Sequence, residues 1–168
     1  MQVLAQAIGL VAMVFNILSF QCKSDRKLML MLGMGCMLFS FNYLLVGAYA
    51  SAIFNGGNIL RSILFVNKKT HNHIGFAIVI AFYLAVAIPT YAGPWTLILL
   101  SSELVSTYAI WYRGGAFVRK AHFFYITPIW LVNNIFFAFT IGGIICEVFT
   151  LTSVVVSLIR YGKEGFEV

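Results

Sequence analysis

Charge is what this sequence has least of. Asp, Glu, Lys and Arg make up 10% of its 168 residues, against roughly 25% in an ordinary soluble domain. Hydrophobic residues make up 61%, and the mean hydropathy is +0.94. Eleven basic and five acidic side chains cannot cover the surface of an 18.7 kDa globule, which excludes a soluble enzyme core, a disordered tail and a nucleic-acid binder. Cysteine is equally sparse: Cys22, Cys36 and Cys146 are odd in number and scattered, so they form neither a disulfide scaffold nor a metal or redox pairing. A basic leader is missing too. Gln2 and Gln6 stand where the charged region of a secretory signal would be, so the apolar run at the start reads as mature structure. There is no Ser-His-Asp set, paired metal motif or phosphate loop. The expectation is therefore a protein that is not an enzyme and takes no cofactor or metal.

Long uncharged runs are what the sequence does have: Val3 to Gln21, Leu28 to Leu60, His71 to Ser102 and Ala121 to Cys146. Each exceeds the roughly 17 residues that cross a bilayer as a helix. Six breaks punctuate them, at 22–27, 47–51, 67–72, 89–94, 113–120 and 140–143. They predict seven helices, at 3–21, 28–46, 51–68, 74–89, 95–112, 120–140 and 143–161. Connections this short make neighbouring helices antiparallel. Lys23, Arg26 and Lys27 fall in the first break, Lys68 and Lys69 in the third, Arg113, Arg119 and Lys120 in the fifth, and Arg160 and Lys163 at the end. The second, fourth and sixth breaks carry no charge. By the positive-inside rule the amino terminus is expected outside and the carboxy terminus in the cytoplasm of a multi-pass protein of the bacterial inner membrane.

The sequence also matches itself without a gap at an offset of 92 residues, which sets Lys27 on Arg119, Asn42 on Asn134, Asn55 on Glu147 and Lys68 on Arg160. A unit of three helices would reappear inverted unless another crossing intervened, and the helix at 74–89 supplies that crossing. The expected fold is an all-α polytopic membrane protein with two parallel three-helix repeats joined by a linker helix. Its divisions are residues 1–70 for the first bundle, 71–92 for the linker and 93–168 for the second bundle. Parallel repeats of this kind occur in transporters whose substrate site lies between the repeats near the midplane.

This 3+1+3 pattern resembles the SWEET, semiSWEET and PQ-loop superfamily. Within it the chain looks most like the YgjV-type bacterial inner-membrane proteins, through Leu104-Val-Ser-Thr-Tyr-Ala-Ile-Trp-Tyr-Arg113, Asn134 with Ile141-Gly-Gly and Glu147, Ala50-Ser-Ala-Ile-Phe-Asn55 and the basic ending from Ile159-Arg160 to Gly165. The resemblance implies rocking of one bundle against the other, with the third and seventh helices lining a central cavity. Where SWEET-like proteins carry Pro-Gln, this chain has Phe20-Gln21 and Tyr112-Arg113, which leaves Pro128 as the candidate hinge.

Ionisable groups inside a membrane usually face the bundle interior and find partners there. Arg61 lies seven residues before Lys68 and Glu103 ten before Arg113, about 10 and 15 Å inward at ~1.5 Å per residue. Glu147 lies just past the Gly142-Gly143 turn. Asn55, Asn58, Arg61 and Ser62 share one face of the third helix. The candidate substrate-binding set is Asn55, Asn58, Arg61, Glu103, Asn134 and Glu147, and an Arg61–Glu103 pair would settle both charges. The expected function is a small polar-solute transporter or facilitator. The alternatives are a proton-coupled transporter of an amino acid or nucleoside-like solute, and a non-transporting receptor or assembly factor. The expected partners are a small polar solute and the lipid bilayer, with a homodimer as a further option and no nucleic acid.

Overall fold

The computed structural model describes residues 2–22, 24–66, 73–113 and 115–161. The predicted loop residues Lys23, Lys68, Lys69 and Lys163 lie outside them. Among the described residues every regular element is helical: α1 (Gln2–Phe20), α2 (Asp25–Leu45), α3 (Tyr49–Phe65), α4 (His73–Ala87), α5 (Pro94–Tyr108), α6 (Gly115–Ala121), α7 (Thr127–Phe136) and α8 (Ile141–Tyr161). A π-helical stretch, Ala109–Arg113, prolongs α5, and another, His122–Ile126, joins α6 to α7. The described chain is thus an all-α protein of seven rods, the sixth being α6, its π-helical stretch and α7.

The burial pattern is inverted relative to a water-soluble protein. Leu4, Leu10, Val11, Val14 and Leu18 line the exposed face of α1, and Val148, Phe149, Val155, Val156 and Ile159 that of α8. Meanwhile Asn42, Asn58, Arg61, Glu103, Asn133 and Asn134 are buried. A chain whose outside is apolar and whose inside holds its amides and charges has hydrocarbon for a solvent, because polar groups there must find partners within the protein. The apolar stretches Arg26–Leu45 and Ile141–Arg160 run 20 residues each, about the 30 Å of a hydrocarbon core at ~1.5 Å per residue. Leu4–Phe20 and His73–Ala87 are apolar but shorter.

The rods pack in chain order around a closed ring: α2 lies between α1 and α3, α4 touches α3 and α5, the sixth rod contacts α5 and α8, and α8 returns to α1. The three-helix sets α1–α3 and α5–α8 therefore have the same internal order. With successive rods antiparallel, Arg26 and Lys27 at the start of α2, Arg113 after α5, Arg119 and Lys120 in α6 and Arg160 near the end of α8 gather at one end. The opposite end carries the turns around Gly47, Gly93 and Phe139, the positions with positive φ.

Two local features differ from the sequence reading. The sixth rod starts at Gly115, earlier than 120, so Arg119 sits inside a helix and is only 1% exposed. Lys27, its match at the repeat offset, is also helical but stands exposed in the first turn of α2. The rod also widens before Pro128, where the Thr127 N–H reaches the His122 carbonyl, five residues back. Proline has no N–H and its ring crowds the carbonyl four residues earlier, and a π-helical turn relieves both problems.

Candidate functional site

The deepest charged residues meet between α3, α4, α5 and the sixth rod. Asn58 and Arg61 come from one face of α3, Tyr83 from the middle of α4, Glu103 and Thr107 from α5, and Trp130 from α7. Glu103 is 1% exposed and Arg61 4%. Arg61 Nη1 donates to Glu103 Oε2 at 3.5 Å and to Thr107 Oγ1 at 3.4 Å. Both contacts are long beside the roughly 2.7–2.9 Å of a tight charge-assisted bond. Trp130 Nε1 donates to the other carboxylate oxygen, Glu103 Oε1, at 3.0 Å. The Tyr83 hydroxyl stands 2.7 Å from Asn58 Oδ1 and 3.2 Å from Glu103 Oε2, so its single proton has two acceptors to serve.

A missing side chain lets Tyr83 arrive there. A Cβ at Gly57 would lie 2.5 Å from Tyr83 Cε1 and 2.8 Å from Phe82 Cε1, so α4 can lay its aromatic rings on α3 only where α3 is bare. The Tyr83 ring also stacks on Phe54 at 6.1 Å.

Toward the charge-free end, a cavity of about 650 Å³ opens between α3, α4, α5 and α7. No charged residue lines it. Its polar groups include Ser51, Thr96 and Asn133, and its aromatic ones Tyr91, Trp95 and Phe137. Trp95 Nε1 donates to Asn133 Oδ1 at 3.2 Å, Asn133 Nδ2 donates to Ser51 Oγ at 3.0 Å, and Trp95 stacks on Phe137 at 4.9 Å. Leu99, also in the lining, precedes Glu103 by one helical turn. The cavity thus lies directly above the ion pair.

The other candidate residues are placed apart. Asn134 accepts from the Tyr43 hydroxyl at 2.7 Å and from Thr140 Oγ1 at 3.0 Å, about 100° around the sixth rod from Asn133. Tyr43 and Trp130 pack with ring centroids 6.1 Å apart, which ties this amide cluster to the Glu103 cluster. Asn55 is buried but donates to the Ser51 carbonyl of its own helix at 3.0 Å. Glu147 is half-buried beside Cys146, within electrostatic reach of Glu103. So Asn58, Arg61 and Glu103 share one cluster, Asn134 belongs to a neighbouring one, and Asn55 and Glu147 border them. Sequence reasoning left out Tyr83 and the Trp130–Glu103 bond. Tyr83 did leave a signal, as a hydroxyl at the centre of the otherwise apolar His73–Ala87 helix.

Several buried polar atoms in this interior have no partner among the described residues: Arg61 Nε, Ser106 Oγ, Thr127 Oγ1, Asn16 Oδ1 and Asn134 Nδ2. Buried polar groups are otherwise nearly always paired. An apolar exterior, helices alone and an interior of amides and charges define a membrane protein. A family model of bacterial inner membrane proteins, Imp-YgjV, matches residues 3–165. The chain belongs to that family. It is 27% identical over 163 residues to the inner membrane protein YgjV of Escherichia coli strain K12, covering 95% of this chain and 85% of that protein. No solved structure matches it.

Proposed function

We propose that this protein is a carrier or facilitator for small polar solutes, multi-pass in the bacterial inner membrane, with its amino terminus outside and its carboxy terminus in the cytoplasm. The basic residues gathered at one end of the rods support that orientation. The observation that carries the functional reading is the vertical arrangement of cavity and charge. An uncharged cavity of about 650 Å³ lies at the outward end, and the Arg61–Glu103 pair lies one helical turn beneath its lining. Polar glue between helices requires neither the cavity nor an ion pair with atoms to spare. Solute enters from the uncharged end, exchanges hydration for the Asn58, Arg61 and Glu103 groups, and leaves toward the basic end as α1–α3 and α5–α8 shift about one another.

The test is uptake into proteoliposomes of radiolabelled amino acids, nucleosides and monosaccharides, with protein-free vesicles as the blank. Saturable uptake of one class, abolished in Glu103→Gln, is the expected result. No uptake of any class, with the protein copurifying with a stoichiometric partner, would favour a receptor or assembly role instead. Proton coupling is a second reading, favoured by Glu147, a half-buried acid beside a membrane interior to which no hydrogen bond brings a donor among the described residues. Its mark is uptake that follows an imposed pH gradient and loses that dependence in Glu147→Gln.

A further inference from the structure

The spare hydrogen-bonding atoms beneath Glu103 form a set. α3 and α5 run toward the basic end and α7 runs away from it, so Arg61, Ser106 and Thr127 each stand one turn basic-ward of Asn58, Glu103 and Trp130. Those last three residues join Glu103's level through direct contacts or through Tyr83. The backbone positions of the lower three therefore lie one level down between the same rods, and the Arg61 guanidinium bridges the two levels through Glu103 Oε2 and Thr107 Oγ1.

At that level the donors are unspent. Helical hydroxyls ordinarily donate to a carbonyl one turn back, as Ser62, Ser102, Thr107 and Thr152 all do here. Ser106 Oγ and Thr127 Oγ1 do not, and both are buried without a partner. Thr127 directly follows the π-helical stretch, whose wider turn changes what lies behind its hydroxyl. Both hydrogen bonds of Arg61 leave from Nη1, while its Nε is buried and unpartnered. The side-on fork of Nε and Nη2 is left over, and that fork matches the two oxygens of a carboxylate with parallel hydrogen bonds.

We infer that this level is the seat of a solute carboxylate, and that the solute is a small zwitterion, a neutral α-amino acid. The carboxylate takes the Arg61 fork and the Ser106 and Thr127 hydroxyls. Its ammonium takes Glu103 Oε2, which holds its present donors loosely, at 3.5 and 3.2 Å. Charge balance selects the zwitterion. A bare carboxylate would add a second negative charge next to Glu103 in a poorly screened interior, and a bare amine would compete with Arg61. This inference rests on the carrier reading and narrows its substrate class.

The test uses the purified full-length protein in detergent and reads the melting temperature with millimolar glycine, L-alanine, L-leucine or L-phenylalanine. Propionate and ethylamine serve as the deaminated and decarboxylated halves of alanine. At least one amino acid should raise the melting temperature in a saturable way, and neither half-molecule should. Arg61→Lys, which keeps the charge but not the fork, should weaken that amino acid's binding tenfold or more. Ser106→Ala and Thr127→Val should each weaken it several-fold and leave the unliganded melting temperature unchanged, because neither hydroxyl has a bond to lose. Four inert amino acids, a shift by propionate alone, undiminished binding in Arg61→Lys, or destabilisation of the unliganded hydroxyl variants would each overturn the proposal. Saturable uptake of a sugar or nucleoside by vesicles in which amino acids are inert would overturn it while leaving the carrier reading in place. Failure of uptake for every class would remove both.

Discussion

The two sides of the helical ring are joined by different chemistry. Along the α1–α8 seam most side chains bond to backbone: Ser157 Oγ to the Phe20 carbonyl at 2.7 Å, Ser153 Oγ to the Ile17 carbonyl at 3.0 Å, and Gln21 Nε2 to the Ser153 carbonyl at 3.0 Å. Gln21 Nε2 also donates to Ser153 Oγ at 2.8 Å, and Asn16 Nδ2 to Cys146 Sγ at 3.7 Å. At the other end the Gly142 N–H donates to Gln6 Oε1 at 3.2 Å, and Gly9 and Gly142 bring the two backbones together. Across the ring, where α4 closes it between α3 and α5, the bonds join side chain to side chain and are long or shared, as at Arg61, Glu103 and Tyr83. Backbone acceptors move only when a whole helix moves, whereas side-chain partners exchange by changing rotamer. Under the proposed carrier reading the difference says where motion would belong: the α1–α8 seam would be the spine, and the α3–α4–α5 side the edge that opens. Relative movement of the two three-helix sets would then pivot about the seam, without a proline in α1 or α5 beyond the helix-starting Pro94.

The hardest way to break the comparison is to strip one charge from the opening edge. Arg61→Met should destabilise the protein by about 3–5 kcal/mol, because a buried carboxylate left alone is the costly state. Swapping the pair, with Arg61→Glu and Glu103→Arg together, should recover much of that loss in thermal melts and none of the uptake. A swap that recovers nothing would show that the two residues are not coupled. On the spine, Gly142→Leu should cost about 1–3 kcal/mol by overpacking against Gly9, seen as a lower melting temperature and an earlier aggregation onset by size exclusion. Gly57→Val should cost at least as much stability, because its Cβ alone would meet the buried Tyr83 ring at 2.5 Å where one at Gly142 meets Gly9 at 3.5 Å, and it should abolish uptake by lifting Tyr83 away from Glu103. Equal effects on folding and uptake would make Gly57 an ordinary packing site. The smallest effect is expected from Ser157→Ala, about 0.6 kcal/mol, the mean for a single interhelical hydrogen bond in a membrane, with uptake intact.

Orientation is checked separately. A reporter after Val168 should be active only in the cytoplasm, and Ala92→Cys, in a background lacking Cys22, Cys36 and Cys146, should react with an impermeant thiol reagent added from outside. The reverse labelling would invert the proposed orientation and place the 650 Å³ cavity on the cytoplasmic face.

Much of the helical pattern was legible because charge and small residues punctuate the chain. The breaks near Gly47 and Gly93 fall where the chain takes positive φ, and the stripe Asn55, Asn58, Arg61 and Ser62 is buried along one face of α3. The pairing of Arg61 with Glu103 followed from depth, since two opposite charges at similar levels seek each other in a medium that screens poorly. What the sequence concealed was rotation. Hydropathy gives the depth of Tyr83 and Trp130 but not the direction they face, and in an apolar solvent the usual contrast between wet and dry helix faces is weak. The early start of the sixth rod was hidden for a related reason: Arg119 carries a loop residue's charge but sits in a helix that buries it. The matches at an offset of 92 residues located equivalent positions without locating equivalent roles. Asn42 donates to the Ala5 carbonyl, while its match Asn134 accepts from Tyr43.

A linker between two parallel units has one topological duty, to bring the chain back to its starting side, and any apolar helix of suitable length performs it. Tyr83 gives α4 a second duty that length cannot meet, because its hydroxyl reaches the carboxylate only through the notch left by a hydrogen atom at Gly57. The notch works as a key and keyway: it fixes the angular phase of α4, so the linker has an identity as well as a parity. Replacing it with a generic apolar helix would restore the crossing and still leave Glu103 one donor short.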